Sequence, residues 1–565
     1  METQRSNAET ASAVDPAHRR SGAADPSPPA AGVDDGPGST ADELAASLAG
    51  VWRTVLELDE IDDDANFFEL GGHSMLAALL ISHCERTIGT VIPLQLVFDN
   101  PVFGDFVAAV ARYDDQQGPA LPRLVAQGLR RAPLSLQQEQ YLQLEQALAL
   151  PSVNNMVAVV EVGADLTLDA LQAGVDALVR RHPALRTAVR PDGDTAVQIV
   201  LPADGLPPVP CTEIDLGALS PERRAATLRS RVMRQFLVPF DLAEGVLLRC
   251  QVFRNGADPD VLVLHLHHSA CDGNCIGFVL DDLAASCVGR PIADAAADDP
   301  EHLDYCRWQR DNLRELLDDS RAHWRTVVRA LAEDLVEPVE RRATASYVRL
   351  TTHLPVTETQ QLRTWTAAAG LTEFSTVAAA AALAVGRVGD RSRAGIGMML
   401  DNRNHAGLER TVGSFALSSL MAVDLTGVEV ARDLVARVQD EHLAARRRTQ
   451  LPLETLLAEP ADELGVTPND LIDLVVDFER IYRMNRPGRL PLSVGVDLSE
   501  LLRMPLLGPR RTLTAVVQDD ERLALTIECV DEPAERAEAQ ALLDATVQAL
   551  ADFAKGPDVP IGTGR

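Results

Sequence analysis

The segment DDQQGPALPRLVAQGLRR, residues 114–131, divides two stretches whose hydrophobic patterns differ in kind. Before it, apolar residues recur every three or four positions, the period of helices with one buried face. In STADELAASLAGVWRTVLEL, Leu44, Leu48, Val51, Trp52 and Val55 share one face, and Thr40 with Glu43 makes a capping box at its start. A second helix runs through SMLAALLISHCERT, and PLQLVFDNPVFGDFVAAVARY holds a short helix, a break at Pro101 and another helix. After the divide the texture becomes α/β. Strand-like runs such as VNNMVAVVEV, GVLLRCQVF and VLVLHLHHS alternate with the helical LDALQAGVDALVRRH and PERRAATLRSRVMRQFL. A chain of 565 residues exceeds a single core. The expectation is a multidomain protein: a small all-α four-helix bundle at 39–113, a linker at 114–131 and an α/β domain at 132–555. The latter is long enough for two lobes, about 132–310 and 311–555, with a tail at 556–565. Residues 1–38, made of small and polar groups, read as disordered because they bury too little to offset ordering.

Composition removes several functions. A net charge of −31 argues against nucleic acid and anionic membrane as partners. Lys555 is the only lysine, which excludes mechanisms that need an active-site Schiff base. Of eight cysteines only Cys271 and Cys275 are close in sequence, and no second pair completes a zinc site, so no metal and ordinary free thiols are expected. The longest apolar run, VAAAAALAV at 377–385, is too short to span a bilayer, and no apolar run follows basic residues at the N-terminus. These readings point to a cytoplasmic protein.

FFELGGHSML, residues 67–76, raises the first question of chemistry. A nucleophile elbow would place Ser74 after a strand with a glycine two residues later; here Met75 and Leu76 follow, with helical patterns on both sides. A helix N-cap is the ordinary role for such a serine. The surrounding DDDANFFELGGHSMLAALL resembles the attachment site of peptidyl carrier domains from nonribosomal peptide synthetases. The resemblance covers about residues 40 to 113 and implies that Ser74 carries 4′-phosphopantetheine, whose thiol holds an aminoacyl or peptidyl thioester. A helix N-terminus suits the phosphodiester, because its free N–H groups and dipole favour an anion.

The second motif is LHLHHSACDG, with His267, His268, Asp272 and Gly273 at the end of a strand-like run. His265 alternates with apolar neighbours and reads as a core residue. No further histidine or cysteine lies at metal-ligand spacing. The motif resembles the active site of condensation domains in the same synthetases, which share it with chloramphenicol acetyltransferase. PLSLQQEQYL, RRHPALRTAV, YCRWQ and DNRNHAGLERTVGSF resemble further landmarks in the family's order, over residues 132 to about 550. The resemblance implies two chloramphenicol acetyltransferase-like lobes. It also implies His268 as the group that meets the attacking nucleophile, His267 as a support, and a structural salt bridge from Asp272 to Arg403. Two departures fall on the acceptor side: Leu417 and Ser418 stand where the family often has asparagine and threonine, and Arg448 replaces a histidine in RTQLPLE.

Amide formation from a thioester needs aligned reactants, worth effective molarities of ~10⁵–10⁸ M, and a positioned base, worth ~10²–10⁴-fold. The expected function is transfer of a donor acyl group from the carrier to an acceptor amine supplied in trans. A stand-alone adenylation enzyme, a phosphopantetheinyl transferase and other carriers or synthetase modules are the implied partners. Three other functions share parts of the pattern. An epimerase would also follow a carrier, and RTVGSF resembles its later motif, but RHPALRT and Asn402-Arg403 are condensation-like. Ester formation with an alcohol and an inactive docking module complete the set.

Overall fold

A computed structural model of the chain describes residues 39–562, apart from 114–121, 336–346, 481–510 and scattered positions at 73, 90–91, 164, 194, 205, 294–295, 297 and 519–520. The expected disorder of 1–38 and the first half of the expected linker lie outside the described residues.

Helices α1 (Ser39–Leu56), α2 (Ser74–Ile88), α3 (Gln95–Asp99) and α4 (Phe103–Arg112) make up the N-terminal region. Helix α1 begins at Ser39, so Thr40 lies inside its first turn rather than at its cap. From Leu48 onward the face predicted for this helix is buried, and Trp52 is fully enclosed. The Trp52 ring meets Phe67 edge-on at 5.4 Å and Phe103 at 5.3 Å, contacts that add to simple area burial. Phe67 also fixes the turn that leads into α2. Gly72 donates to the Phe67 carbonyl at 2.8 Å, and a Cβ on Gly72 would collide with the Phe67 ring. Gly71 before it has φ 94°, a left-handed conformation that glycine adopts without cost. The Gly-Gly step therefore follows from the packing of Phe67.

The α/β part runs β1 (Arg131–Pro133), α5 (Leu136–Leu148), β2 (Asn155–Val162), α6 (Leu168–Arg181), β3 (Thr187–Asp192), β4 (Thr195–Val200), β5 (Cys211–Asp215), α7 (Pro221–Phe236), β6 (Leu248–Arg254), β7 (Asp260–His267) and α8 (Gly273–Cys287). Next come α9 (His302–Asp311), α10 (Leu313–Ala332), β8 (Tyr347–Leu354), α11 (Val356–Ala368), α12 (Glu373–Gly389), β9 (Arg393–Leu400) and β10 (Leu417–Asp424). The chain then forms α13 (Ala431–Arg448), α14 (Leu453–Leu464), β11 (Leu474–Arg480), β12 (Arg511–Val517), β13 (Leu523–Val530) and α15 (Pro533–Ala554).

Two principal sheets result. One has the order β2-β7-β6-β5, the other β10-β9-β11-β12-β13-β8, and a small sheet β1-β4-β3 accompanies the first. Each principal sheet backs a core of its own. Leu262, Leu264 and Leu266 of β7 pack with α6 and α8, while Ile396 and Met398 of β9 pack with α12 and α15. VAAAAALAV is the buried middle of α12, where alanines let α15 and α13 approach closely. No single helix among the described residues is long and apolar enough to cross a membrane.

Two connecting segments are more engaged than their polarity suggests. Leu124, in the second half of 114–131, is buried beside Trp308, whose indole N–H donates to the Pro122 carbonyl at 2.6 Å. Beyond residue 555, Pro560 forms a β-bridge with Val430 and Ile561 is buried in the core of the second sheet. In both cases apolar side chains within a polar stretch, Leu124 and Ile561, find a buried seat.

Truncating Trp52 to alanine is expected to cost the helical region about 3–5 kcal/mol. The measurement is hydrogen exchange: amides of α1, α2 and α4 lose protection while β7 and β9 keep theirs. Unchanged protection in α1 would contradict the central role assigned to this ring.

Candidate functional site

Strand β7 is central, pairing with β2 through Asn155↔His267 and with β6 through Leu248↔Leu266. Its alternation sends His265 and His267 to one face. His265 is fully buried with no hydrogen-bond partner for either nitrogen among the described residues. Burial and the nearby Arg249 push its pKa down to about 4, so it is a neutral core residue.

His267 ends the strand and is a brace. Its Nε2 lies 2.8 Å from Glu145 Oε1 and its Nδ1 lies 2.8 Å from Ser269 Oγ. Glu145 in turn accepts from Asn154 Nδ2 at 2.8 Å, and the Asn154 carbonyl accepts the backbone N–H of His268 at 2.9 Å. The turn after β7 is thus tied to α5 and to the start of β2.

His268 differs from its neighbours. His267, Ser269, Ala270, Cys271 and Asp272 are buried, whereas His268 keeps accessible surface. Its ring lies against Tyr141 with centroids 4.5 Å apart and planes tilted by 32°. Burial of its surroundings lowers its pKa from the usual 6.5, opposed by its own backbone carbonyl and by Asp272. The imidazole is therefore neutral at pH 7, with a lone pair able to accept a proton or a hydrogen bond.

Asp272 has no exposed surface and every lone pair is engaged. Arg403 grips it with both terminal nitrogens, Nη1 to Oδ2 at 3.0 Å and Nη2 to Oδ1 at 3.1 Å. The N–H of Cys275 donates to Oδ1 at 3.0 Å, and those of Phe415 and Ala416 donate to Oδ2 at 2.9 and 3.2 Å. Burial alone would raise this carboxyl; Arg403 first, then the backbone N–H groups, hold it below the ordinary range. An acid with no free lone pair and a locked charge does not shuttle protons. Asp272 is also the N-cap of α8, and Gly273 is the first residue of that helix, with open space where a Cβ would stand. Arg403 lies over the Phe415 ring at 4.6 Å and also reaches the carbonyl of Thr411 at 3.3 Å.

One expectation changes here. Cys271 and Cys275, read as free thiols, are disulfide-bonded, because the Asp272 cap folds residue 275 back toward 271, with Cα atoms 5.8 Å apart. The other six cysteines are free.

The structure brings together His267, His268, Asp272, Gly273 and Arg403. Ser74 lies in the helical region, as the first residue of α2. Phosphopantetheine fits this position: α2 is 15 residues long, and no acidic side chain in its first turn repels a phosphodiester at its N-terminus. Tyr141 and Glu145 escaped the sequence reading. Their spacing of i and i+4 on α5 puts them on one helix face, a signal present in QQEQYLQLE. Arg448, in place of the family's histidine, bonds Asp319 of α10 at 2.6 Å, so this position serves to join two helices here.

Comparison with known proteins gives two family matches along the chain. Residues 129–563 match the family model of the condensation domain, and residues 46–110 match that of the phosphopantetheine attachment site. Malpibaldin synthetase of Mortierella alpina is 29% identical over 448 residues, which cover 75% of this chain and 8% of that protein. A dimodular nonribosomal peptide synthase of Bacillus subtilis is 29% identical over 547 residues, 91% of this chain and 22% of that protein. The chain thus spans less than a quarter of either relative. The solved condensation domain of the monacolin K polyketide synthase superposes with a TM-score of 0.61 at 18% identity, covering 76% of this chain and 99% of that one, a likeness of fold.

Asp272→Ala would leave Arg403, only 4% exposed, as an unpaired buried charge, and the expected cost is about 3–5 kcal/mol. Because the folded pKa of Asp272 is depressed, its contribution is present above the unfolded carboxylate range and is lost as pH falls through the folded value. Denaturant unfolding of the variant, followed across pH, checks both statements. Wild-type stability combined with lost activity would instead make Asp272 a direct participant.

Proposed function

The chain belongs to the condensation-domain family, with a phosphopantetheine attachment domain preceding that domain, and we propose that it works as a carrier–condensation unit of nonribosomal peptide synthesis. In this reading the carrier spans 39–113, the connection 114–131 and the condensation domain 132–555, its lobes meeting near 310, with a tail at 556–565. Ser74 is the attachment residue for 4′-phosphopantetheine. That group supplies an acyl thioester, an activated carbonyl with a thiolate leaving group on a long arm.

The chain's own residues do the rest. His268 accepts a hydrogen bond from the acceptor amine and takes its proton as nitrogen attacks the thioester carbonyl. The C–N bond forms, the C–S bond breaks, and the proton passes on to the departing sulfur. Nδ1 of His268 is enclosed beside the residue's own backbone carbonyl, which leaves Nε2 as the nitrogen that faces the acceptor. Tyr141 and the Glu145–His267 pair hold the ring in place, while Asp272 and Arg403 hold the loop and keep their charges. The observation that carries this assignment is a neutral, partly accessible imidazole between two buried braces.

The donor sits on Ser74 and reaches His268 within one chain, at an effective concentration of order mM if the connecting segment suits the span. The acceptor is an amine held on another carrier or free in solution. An adenylation activity loads Ser74 after a phosphopantetheinyl transferase has modified it. The experiment is to load Ser74 with a labelled aminoacyl group, add a loaded partner carrier, and follow both by intact mass. The label is expected to leave Ser74 and appear on the partner, and Ser74→Ala should gain no arm. Retention of the label while the partner's group moves onto Ser74 would reverse the direction. Deuterium entering the α-carbon without transfer would identify an epimerase.

His268→Ala is expected to fold and load normally and to lose ~10²–10⁴-fold in turnover, the usual worth of a positioned base. Because the acceptor amine loses reactivity as it protonates, the enzyme's share is read from the ratio of wild-type to His268→Ala turnover. That ratio should hold level through neutrality and fall only below pH 6.5, since the depressed pKa keeps His268 neutral until then. A ratio that already falls above 6.5, or full turnover in the variant, would place the chemistry elsewhere.

A further inference from the structure

Toward its C-terminal end, α2 carries polar side chains that the chemistry at Ser74 does not use. The Ser82 hydroxyl, in a residue only 5% exposed, donates to Glu409 Oε1. Arg86 Nη2 lies 3.1 Å from Asp299 Oδ1, and its Nη1 lies 4.0 Å from Glu409 Oε2. Glu85 sits among them: burial pushes its carboxyl up to about 7, the Ile92 N–H and Arg123 oppose this, and Glu409 adds to it. An apolar contact accompanies the polar one. Leu443 of α13 is buried in the same cluster as Trp52, Phe98 and Phe106, with Ala367 of α11 at its margin.

Asp299 and Glu409 belong to two segments that meet tightly. Gly407 has φ 90°, and a Cβ there would stand 2.7 Å from Pro300 and 2.9 Å from Asp299. Glu409 Oε1 accepts the Gly407 N–H at 3.0 Å, and the Thr411 hydroxyl donates to the carbonyls of Gly407 at 3.2 Å and Pro300 at 3.3 Å. The Thr411 carbonyl then accepts from Arg403, the arginine that locks Asp272. One unbroken set of bonds leads from α2 to the brace of the histidine turn.

We propose that Asp299, Glu409 and Leu443 form the docking surface for the chain's own carrier domain, and that docking tightens the 407–411 loop that holds Arg403 on Asp272. The occupant is argued from charge and seating: the cationic Arg86 meets two carboxylates, and the carrier's apolar core takes in Leu443. The arginine is well exposed, so its ion pair contributes little on its own and the contact is readily released, as a carrier that must visit other proteins requires. The inference rests on the carrier–condensation reading above, but its structural half is tested without transfer.

The test uses fully loaded full-length protein, with loading checked by intact mass, in four forms: wild type, Arg86→Glu, Asp299→Arg and the double exchange. Hydrogen exchange at residues 405–413 and single-turnover transfer from Ser74 are both followed. Arg86→Glu is expected to raise exchange at 405–413 and to slow transfer about 5–10-fold, and the double exchange to restore both. Unchanged exchange at 405–413 in Arg86→Glu would overturn the proposal, as would slowed transfer that the double exchange does not relieve. Absence of transfer in the wild type would instead count against the proposed function, while the exchange data would still judge the docking surface.

Discussion

The buried pair of Asp272 and Arg403 joins the start of α8 to the connection between β9 and β10, so it fastens the core behind the first principal sheet to the core behind the second. The histidine turn is held in place by that fastening. Burying two charges is expensive, and their attraction offsets the cost only when all remaining donors and acceptors are used. Here they nearly are: Asp272 receives Arg403 twice and three backbone N–H groups, and Arg403 directs further donors to the carbonyls of Asp401, Thr411 and Gly413. The pair acts less as a source of stability than as a register mark, because no slipped arrangement of the two connections satisfies both partners.

His268 benefits from this arrangement without sharing in it. Were Asp272 free, it would raise the imidazole pKa strongly and favour the cation; paired with Arg403, its field is largely cancelled. Desolvation outweighs what remains of that field and favours the neutral ring. The same reasoning applies on the other side, where Glu145 is taken up by His267 and Asn154. Two carboxylates flank the histidine turn, and each is occupied elsewhere. In the proposed reaction such a neutral acceptor in a partly dry site suits an amine nucleophile, since the amine arrives with a proton to lose.

The helical region is organised differently. Its chemistry needs little more than an accessible helix start, and the turn before α2 is shaped by aromatic packing: Phe67 against Trp52 on one side and Gly72 on the other. Rigidity is thus placed in the turn that presents Ser74, while the polar contacts toward Asp299 and Glu409 sit farther along the helix.

The helical texture of the N-terminal region, the α/β texture of the rest, and the two motifs around Ser74 and His268 were all legible in the order of residues. Periodicity and spacing are local properties, and these features are local. His267, His268, Asp272 and Gly273 are chain neighbours, so their proximity required no folding argument. Arg403 was legible only through resemblance, because it lies 131 positions from Asp272. Tyr141 and Glu145 left a faint mark as an i, i+4 pair, yet nothing local says which face of α5 meets β7. The closure of Cys271 on Cys275 and the burial of Leu124 and Ile561 were likewise settled by packing in three dimensions. In each case the deciding contact comes from outside the local pattern, and a pattern records which face is apolar without recording what covers it.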